Sequence, residues 1–125
     1  MKRFSDKYLI TKEMQWEELG GGVSRKFLGY DNQIMMVKVK FEKGALGSPH
    51  QHFHTQTTYV VSGKFEFEID GVKQIVEAGD GVYIEPNLLH SAVCLEEGML
   101  IDTFSPVRED FLSGDGVSYF GDKQK

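Results

Sequence analysis

The chain has 125 residues, 40% of them hydrophobic and 26% charged, which suits one globular domain burying roughly two-thirds of its unfolded surface and excludes a multidomain machine, a disordered chain or a collagen-like repeat. Fourteen Lys and Arg against 19 Asp and Glu give a net charge of −5, so no global field attracts nucleic acid or a lipid surface, and any anionic ligand must be met by local groups. The single Cys94 excludes an internal disulfide, Met1 to Ile10 lacks the apolar core of a signal peptide, and no window offers ~18 consecutive apolar residues, so a cytoplasmic chain outside the membrane is expected.

In chain order, Asp6 to Glu18 suits a short strand or helix and Gly20-Gly21-Gly22 is a breaker; neither carries a functional signal. Val37, Val39 and Phe41 then alternate with Lys38 and Lys40, and Phe65, Phe67 and Ile69 alternate with Lys64, Glu66 and Glu68. Alternation of that kind predicts strands with one buried face. Asp70-Gly71 tolerates the positive φ of a tight hairpin, after which Val72 to Glu77 runs back antiparallel. Gly79-Asp80-Gly81 turns into Val82 to Glu85, Pro86-Asn87 turns again, and Ser91 to Leu95 and Met99 to Phe104 flank an expected acidic loop at Glu96-Glu97-Gly98. Ser105 as cap, Pro106 at the first helical position and Glu109 and Asp110 in the first turn predict one short helix ending near Leu112. Short strands separated by glycine turns predict an all-β fold, a single jelly-roll barrel over residues 1–112, followed by a polar tail over 113–125.

Three of the four histidines occupy alternate positions in His50-Gln51-His52-Phe53-His54-Thr55-Gln56, within a region that reads as strand. Residues two apart stand ~6.6 Å from each other along a strand, so two imidazoles can converge on one ion where the strand bends. Gln56 shares their parity and adds an amide oxygen; His90, behind Pro86-Asn87-Leu88-Leu89, completes a set His50, His52, Gln56 and His90. Such a donor set suits a divalent transition metal, Zn, Ni, Mn or Fe, and leaves sites open for a ligand. His54 is assigned to the pocket or to supporting a ligand from behind.

These residues resemble the two motifs of the cupin superfamily. Gly44, His50, His52, Gln56 and Gly63 fit the spacing of the first, with Gln56 where most cupins carry Glu; Gly79-Asp80 through Pro86 to His90 fits the second, with Asn87 in place of a glycine. The neutral amide leaves a bound cation its full charge, which favours polarising substrate oxygens over activating dioxygen. His-x-His-x-His-x-Gln together with Ile101 to Leu112 is similar to the KdgF family, single-domain cupins that convert 4,5-unsaturated monouronates into their linear keto form. The resemblance implies metal ligands at His50, His52, Gln56 and His90, and a substrate pocket at Asp102, Phe104 and Arg108.

Asp102 and Phe104 share parity on one strand, so Asp102 can act as general acid/base beside the metal and Phe104 can face the sugar. Arg108 suits bidentate pairing with the substrate carboxylate, against the plainer reading of a salt bridge to Glu109, Asp110 or Asp115. The leading expectation is a metal-dependent uronate-linearising enzyme acting on a small sugar acid. A small cupin dioxygenase and a non-catalytic module that binds or senses sugar acids are the alternatives. The resemblance also implies a homodimer.

Overall fold

The computed structural model describes residues 3–113. A 3₁₀ turn at Thr11–Glu13 leads into β1 (Glu17–Gly20), β2 (Val23–Tyr30), β3 (Met35–Phe41), β4 (Leu46–His50), β5 (Thr55–Ile69), β6 (Val72–Glu77), β7 (Gly81–Ile84) and β8 (His90–Ser105), and helix α1 (Glu109–Ser113) closes the described chain. All the pairings are antiparallel, with the order β1-β2-β3-β8-β5-β6, β4 on β8 and β7 on β5. No helix among the described residues is long and apolar enough to cross a membrane.

The two long strands organise the barrel. The first half of β5 pairs with the second half of β8 (Thr55↔Ser105 to Ser62↔Met99), and its second half pairs with the first half of β8 (Phe65↔Cys94 to Ile69↔His90). The outer neighbours change at the same place: β8 takes β3 over Gly98 to Phe104 and β4 over His90 to Val93. Between the halves lies Gly63, with φ at +84°, where an added Cβ would stand 2.6 Å from Glu96 O, Glu97 O and Gly98 Cα. Only glycine fits that crossing, where the β5–β8 register slips between Val60 and Phe65 within one eight-stranded sheet. The expected acidic loop at Glu96-Glu97-Gly98 is therefore replaced by continuous strand, and Lys64 Nζ reaches Glu96 Oε2 at 3.5 Å across it.

The alternation read from the sequence holds: Met35, Val37, Val39 and Phe41 are buried with Val60, Phe65, Phe67, Leu100 and Phe104, while Lys38 and Lys40 take the opposite parity. At the Asp70-Gly71 hairpin both φ angles are positive, 51° and 84°. Asn87 occupies its motif position at φ 66°, a conformation asparagine tolerates better than most residues.

Helix α1 begins at Glu109, later than Ser105-Pro106 suggested, because Ser105 is the last residue of β8 and its hydroxyl donates to Gln33 O at 2.8 Å instead of capping. The Gly20-Gly21-Gly22 breaker is the β1–β2 turn, and the expected strand over Val82 to Glu85 is β7. The boundary expected at 112/113 falls inside α1, and the tail from residue 114 onward lies outside the described residues.

Candidate functional site

The backbone leaves the sheet within the histidine motif. His50 ends β4, residues 51–54 form a bend, and β5 starts at Thr55. Strand parity thus does not run through the histidine motif as the sequence reading supposed. The bend folds His52 back toward His50, with ring centroids 5.6 Å apart, and the β4–β8 register sets His50 opposite His90 at 4.3 Å. One ring nitrogen from each of His50, His52 and His90 lies within 4.8 Å of the others, a triad able to hold a metal ion.

The backbone fixes which nitrogens converge. Nδ1 of His50 lies 2.8 Å from Ser48 O, Nδ1 of His90 2.9 Å from Leu88 O, and Nδ1 of His52 3.2 Å from His54 O. A carbonyl only accepts, so Nδ1 of His50 and of His90 carries the proton and Nε2 presents a lone pair, whereas both ring nitrogens of His52 face carbonyl oxygens and either can carry its proton. His90 Nε2 is buried without a hydrogen-bond partner. Burial and then the neighbouring His90 lower the pKa of His50 to about 4; burial and then the Arg108 guanidinium lower that of His52 to about 3. Burial lowers His90 as well. All three rings are neutral at pH 7, the form a metal requires.

Gln56 supplies the sharper observation. Its Oε1 stands 3.1 Å from His52 Nε2, able to accept from that nitrogen when it carries the ring proton and to share a cation with it when the proton is on Nδ1. The amide is oriented from its other end, where its Nε2 donates to Thr58 Oγ1 at 3.0 Å and lies 3.5 Å from Asp102 Oδ1. Two ligands each about 2.1 Å from one ion, at right angles, stand roughly 3.0 Å apart. The donor set therefore fits a shared cation.

Register explains the inner wall. Gln56 pairs with Phe104, Thr58 with Asp102 and Val60 with Leu100, so these side chains share the inward face, and all are buried. Thr58 Oγ1 donates to Asp102 Oδ1 at 2.7 Å. Parity thus located Asp102 and Phe104 correctly, but Thr58 carried no sequence signal. Phe104 is 1% exposed, edge-on to His52 at 5.8 Å and to Phe111 at 5.5 Å.

Arg108 is buried and lines the same cavity as His50, Gln56, His90 and Asp102. Its Nε and Nη2 donate to Asp110 at 3.0 and 2.8 Å, and its guanidinium lies 4.4 Å from the Phe111 ring centroid and 5.1 Å from that of Phe104. Pairing with Asp110 agrees with the plainer reading, while burial at the cavity wall agrees with the functional one. Sequence reasoning gave no role to Phe111, whose ring also faces Arg25 at 4.5 Å. His54 is not in the triad: its Nε2 donates to Val107 O at 3.1 Å and its ring stacks on Phe53 at 4.0 Å. It clasps the segment before Arg108 to the histidine bend, a supporting position outside the cavity lining.

Residues 37–103 match the cupin domain family Cupin_2. The pectin degradation protein KdgF of Dickeya dadantii (strain 3937) is 50% identical over 108 residues, covering 85% of this chain and 98% of that one. Among solved structures, an RmlC-like cupin from Shewanella frigidimarina superposes with a TM-score of 0.86 at 44% identity, over 88% of this chain and 99% of the other. KdgF from Halomonas sp. gives 0.82 at 39% identity, over 86% and 99%. The chain belongs to the cupin superfamily and, within it, to the KdgF family.

Proposed function

We propose that this protein is a metal-dependent enzyme that converts 4,5-unsaturated monouronates, products of pectin and alginate breakdown, into their linear keto form in the cytoplasm. His50, His52, Gln56 and His90 would hold one divalent transition metal. The observation that carries the reading is the convergence of one ring nitrogen from each of His50, His52 and His90 within 4.8 Å of one another, with Gln56 Oε1 3.1 Å from His52 Nε2, close to the spacing of two ligands on one ion. Kinship with proteins named KdgF supports the substrate class. The bound ion supplies Lewis-acid polarisation of substrate oxygen.

The remaining work falls to side chains around it. The substrate is a cyclic hemiacetal carrying an enol ether and a carboxylate, so linearisation needs ring opening and delivery of a proton to the ring carbon that becomes CH₂. Asp102 Oδ1 takes the Thr58 hydroxyl, which leaves its carboxylate facing the cavity as general acid/base. Arg108, gripped along its Nε and Nη2 edge by Asp110, retains Nη1 donors for the substrate carboxylate. Phe104 forms the apolar wall beside them, and His54 holds the Arg108 segment in place.

Purified protein should hold about one divalent ion and speed the loss of the conjugated double bond's ultraviolet absorbance in unsaturated galacturonate. Fully metallated protein without acceleration refutes the reaction. Asp102→Asn should lose most turnover while retaining metal; unchanged turnover removes Asp102 from the proton transfer. Exposed Tyr59, Val61 and Tyr83 on β5 and β7 support a homodimer, which light scattering at the 14.2 kDa monomer mass would contradict.

A further inference from the structure

Thr58 is 3% exposed and sits between the amide of Gln56 and the carboxylate of Asp102. A carboxylate only accepts, so the Thr58 proton points at Asp102 Oδ1, 2.7 Å away. That leaves the hydroxyl lone pairs for Gln56 Nε2 at 3.0 Å. The direction of this chain decides the direction of the amide: with its NH₂ drawn to Thr58, its oxygen faces His52. The direct contact from Gln56 Nε2 to Asp102 is longer, 3.5 Å, too weak to set the amide alone.

We propose that Thr58 is a positioning residue of the metal site, its hydroxyl determining which end of the Gln56 amide faces the cation. The inference rests on the reading of Gln56 as a ligand. Without the hydroxyl, Gln56 Nε2 has Asp102 Oδ1 as its nearby acceptor, and turning toward it draws Oε1 off His52. The alternative role, a β-branched side chain that merely fills the inward face of β5, predicts that shape matters and the hydroxyl does not.

Cobalt(II) is the probe, titrated into chelator-treated full-length protein, with affinity read by chelator competition and ligand geometry by the visible absorption of the bound ion. Thr58→Val keeps shape and loses the hydroxyl; it should bind cobalt ten- to a hundredfold more weakly, roughly the loss seen when a ligand's supporting partner is removed, with an altered spectrum. Thr58→Ser keeps the hydroxyl and should return most of the affinity and the original spectrum. Thr58→Ala gives the same readout as valine should that variant not fold. Valine or alanine variants that bind as tightly with an unchanged spectrum overturn the inference, as does a serine variant as weak as valine; in both cases the metal site itself stands. Unsubstituted protein that takes up no cobalt refutes the metal site and this role together.

Discussion

Gln56→Glu examines the same polar chain from its other end. The substitution keeps the oxygen that faces His52 but places a second negative group where Nε2 now donates to Thr58 at 3.0 Å and stands 3.5 Å from Asp102. Two unit charges at that separation repel by about 5 kcal/mol at an effective dielectric constant of ~20. The pair escapes by taking up one proton, which for a carboxyl of ordinary pKa near 4 costs about 4 kcal/mol at pH 7 and about 1 kcal/mol at pH 5. The smaller figure governs at each pH. Relative to the unsubstituted chain, the metal-free variant should therefore be destabilised by about 4 kcal/mol at pH 7 and by about 1 kcal/mol at pH 5. Adding Asp102→Asn restores a donor opposite an acceptor, so the double-mutant cycle should show a favourable coupling of at least about 2 kcal/mol at pH 7. Urea unfolding in the presence of chelator measures all four corners. A coupling within about 0.5 kcal/mol of zero would mean that the two side chains do not share this contact, and the account of why a neutral amide stands here would fail.

The histidines give metal-free protein a pH dependence of definite sign. Their folded-state pKa values, about 4 for His50 and about 3 for His52, lie below the ordinary 6.5, so the unfolded chain protonates first and their contribution, complete above pH 6.5, drains as the pH falls toward 4. His50 alone accounts for about 3 kcal/mol, and urea midpoints in chelator that stay level from pH 7.5 to pH 4.5 would contradict it. Arg108→Lys loses the fork that grips Asp110 and should raise KM for unsaturated galacturonate roughly ten- to a hundredfold, the worth of a charged hydrogen bond; an unchanged KM removes Arg108 from substrate binding. Gly63→Ala forces a Cβ against three backbone atoms at 2.6 Å and φ +84°, for a loss above about 3 kcal/mol by urea unfolding. A cost under about 1 kcal/mol would show that the crossing of the long strands can relax.

What the sequence disclosed follows from where local patterns govern. The two inward faces, the Asp70-Gly71 hairpin and the gathering of His50, His52 and His90 were legible, because period-two alternation and ligand spacing are written within a few residues. Glu96-Glu97-Gly98 reads as a turn by composition, yet Gly98 is demanded by the backbone of Ser62 and Gly63 across the sheet, a relation between distant residues that no local window holds. His54 shares the ligands' parity only if the strand is unbroken; the bend after His50 turns it to the Val107 carbonyl, in a supporting position. Thr58 is an ordinary strand residue until the β5–β8 register sets it opposite Asp102, 44 positions away. The late start of α1 has a similar origin, since Gln33 O claims the hydroxyl that composition offered as a cap.

The clasp between His54 and Val107 is made to the backbone alone. His54 grips a main-chain oxygen, which every amino acid at position 107 would furnish equally. The stretch from Pro106 to Ser113, bearing the guanidinium and its carboxylate latch, is thereby moored to the histidine bend by a bond that does not depend on the side chain at position 107. A substitution at position 107 therefore leaves the anchor standing, and what it costs is set by packing alone, since Val107 and Phe111 are both buried.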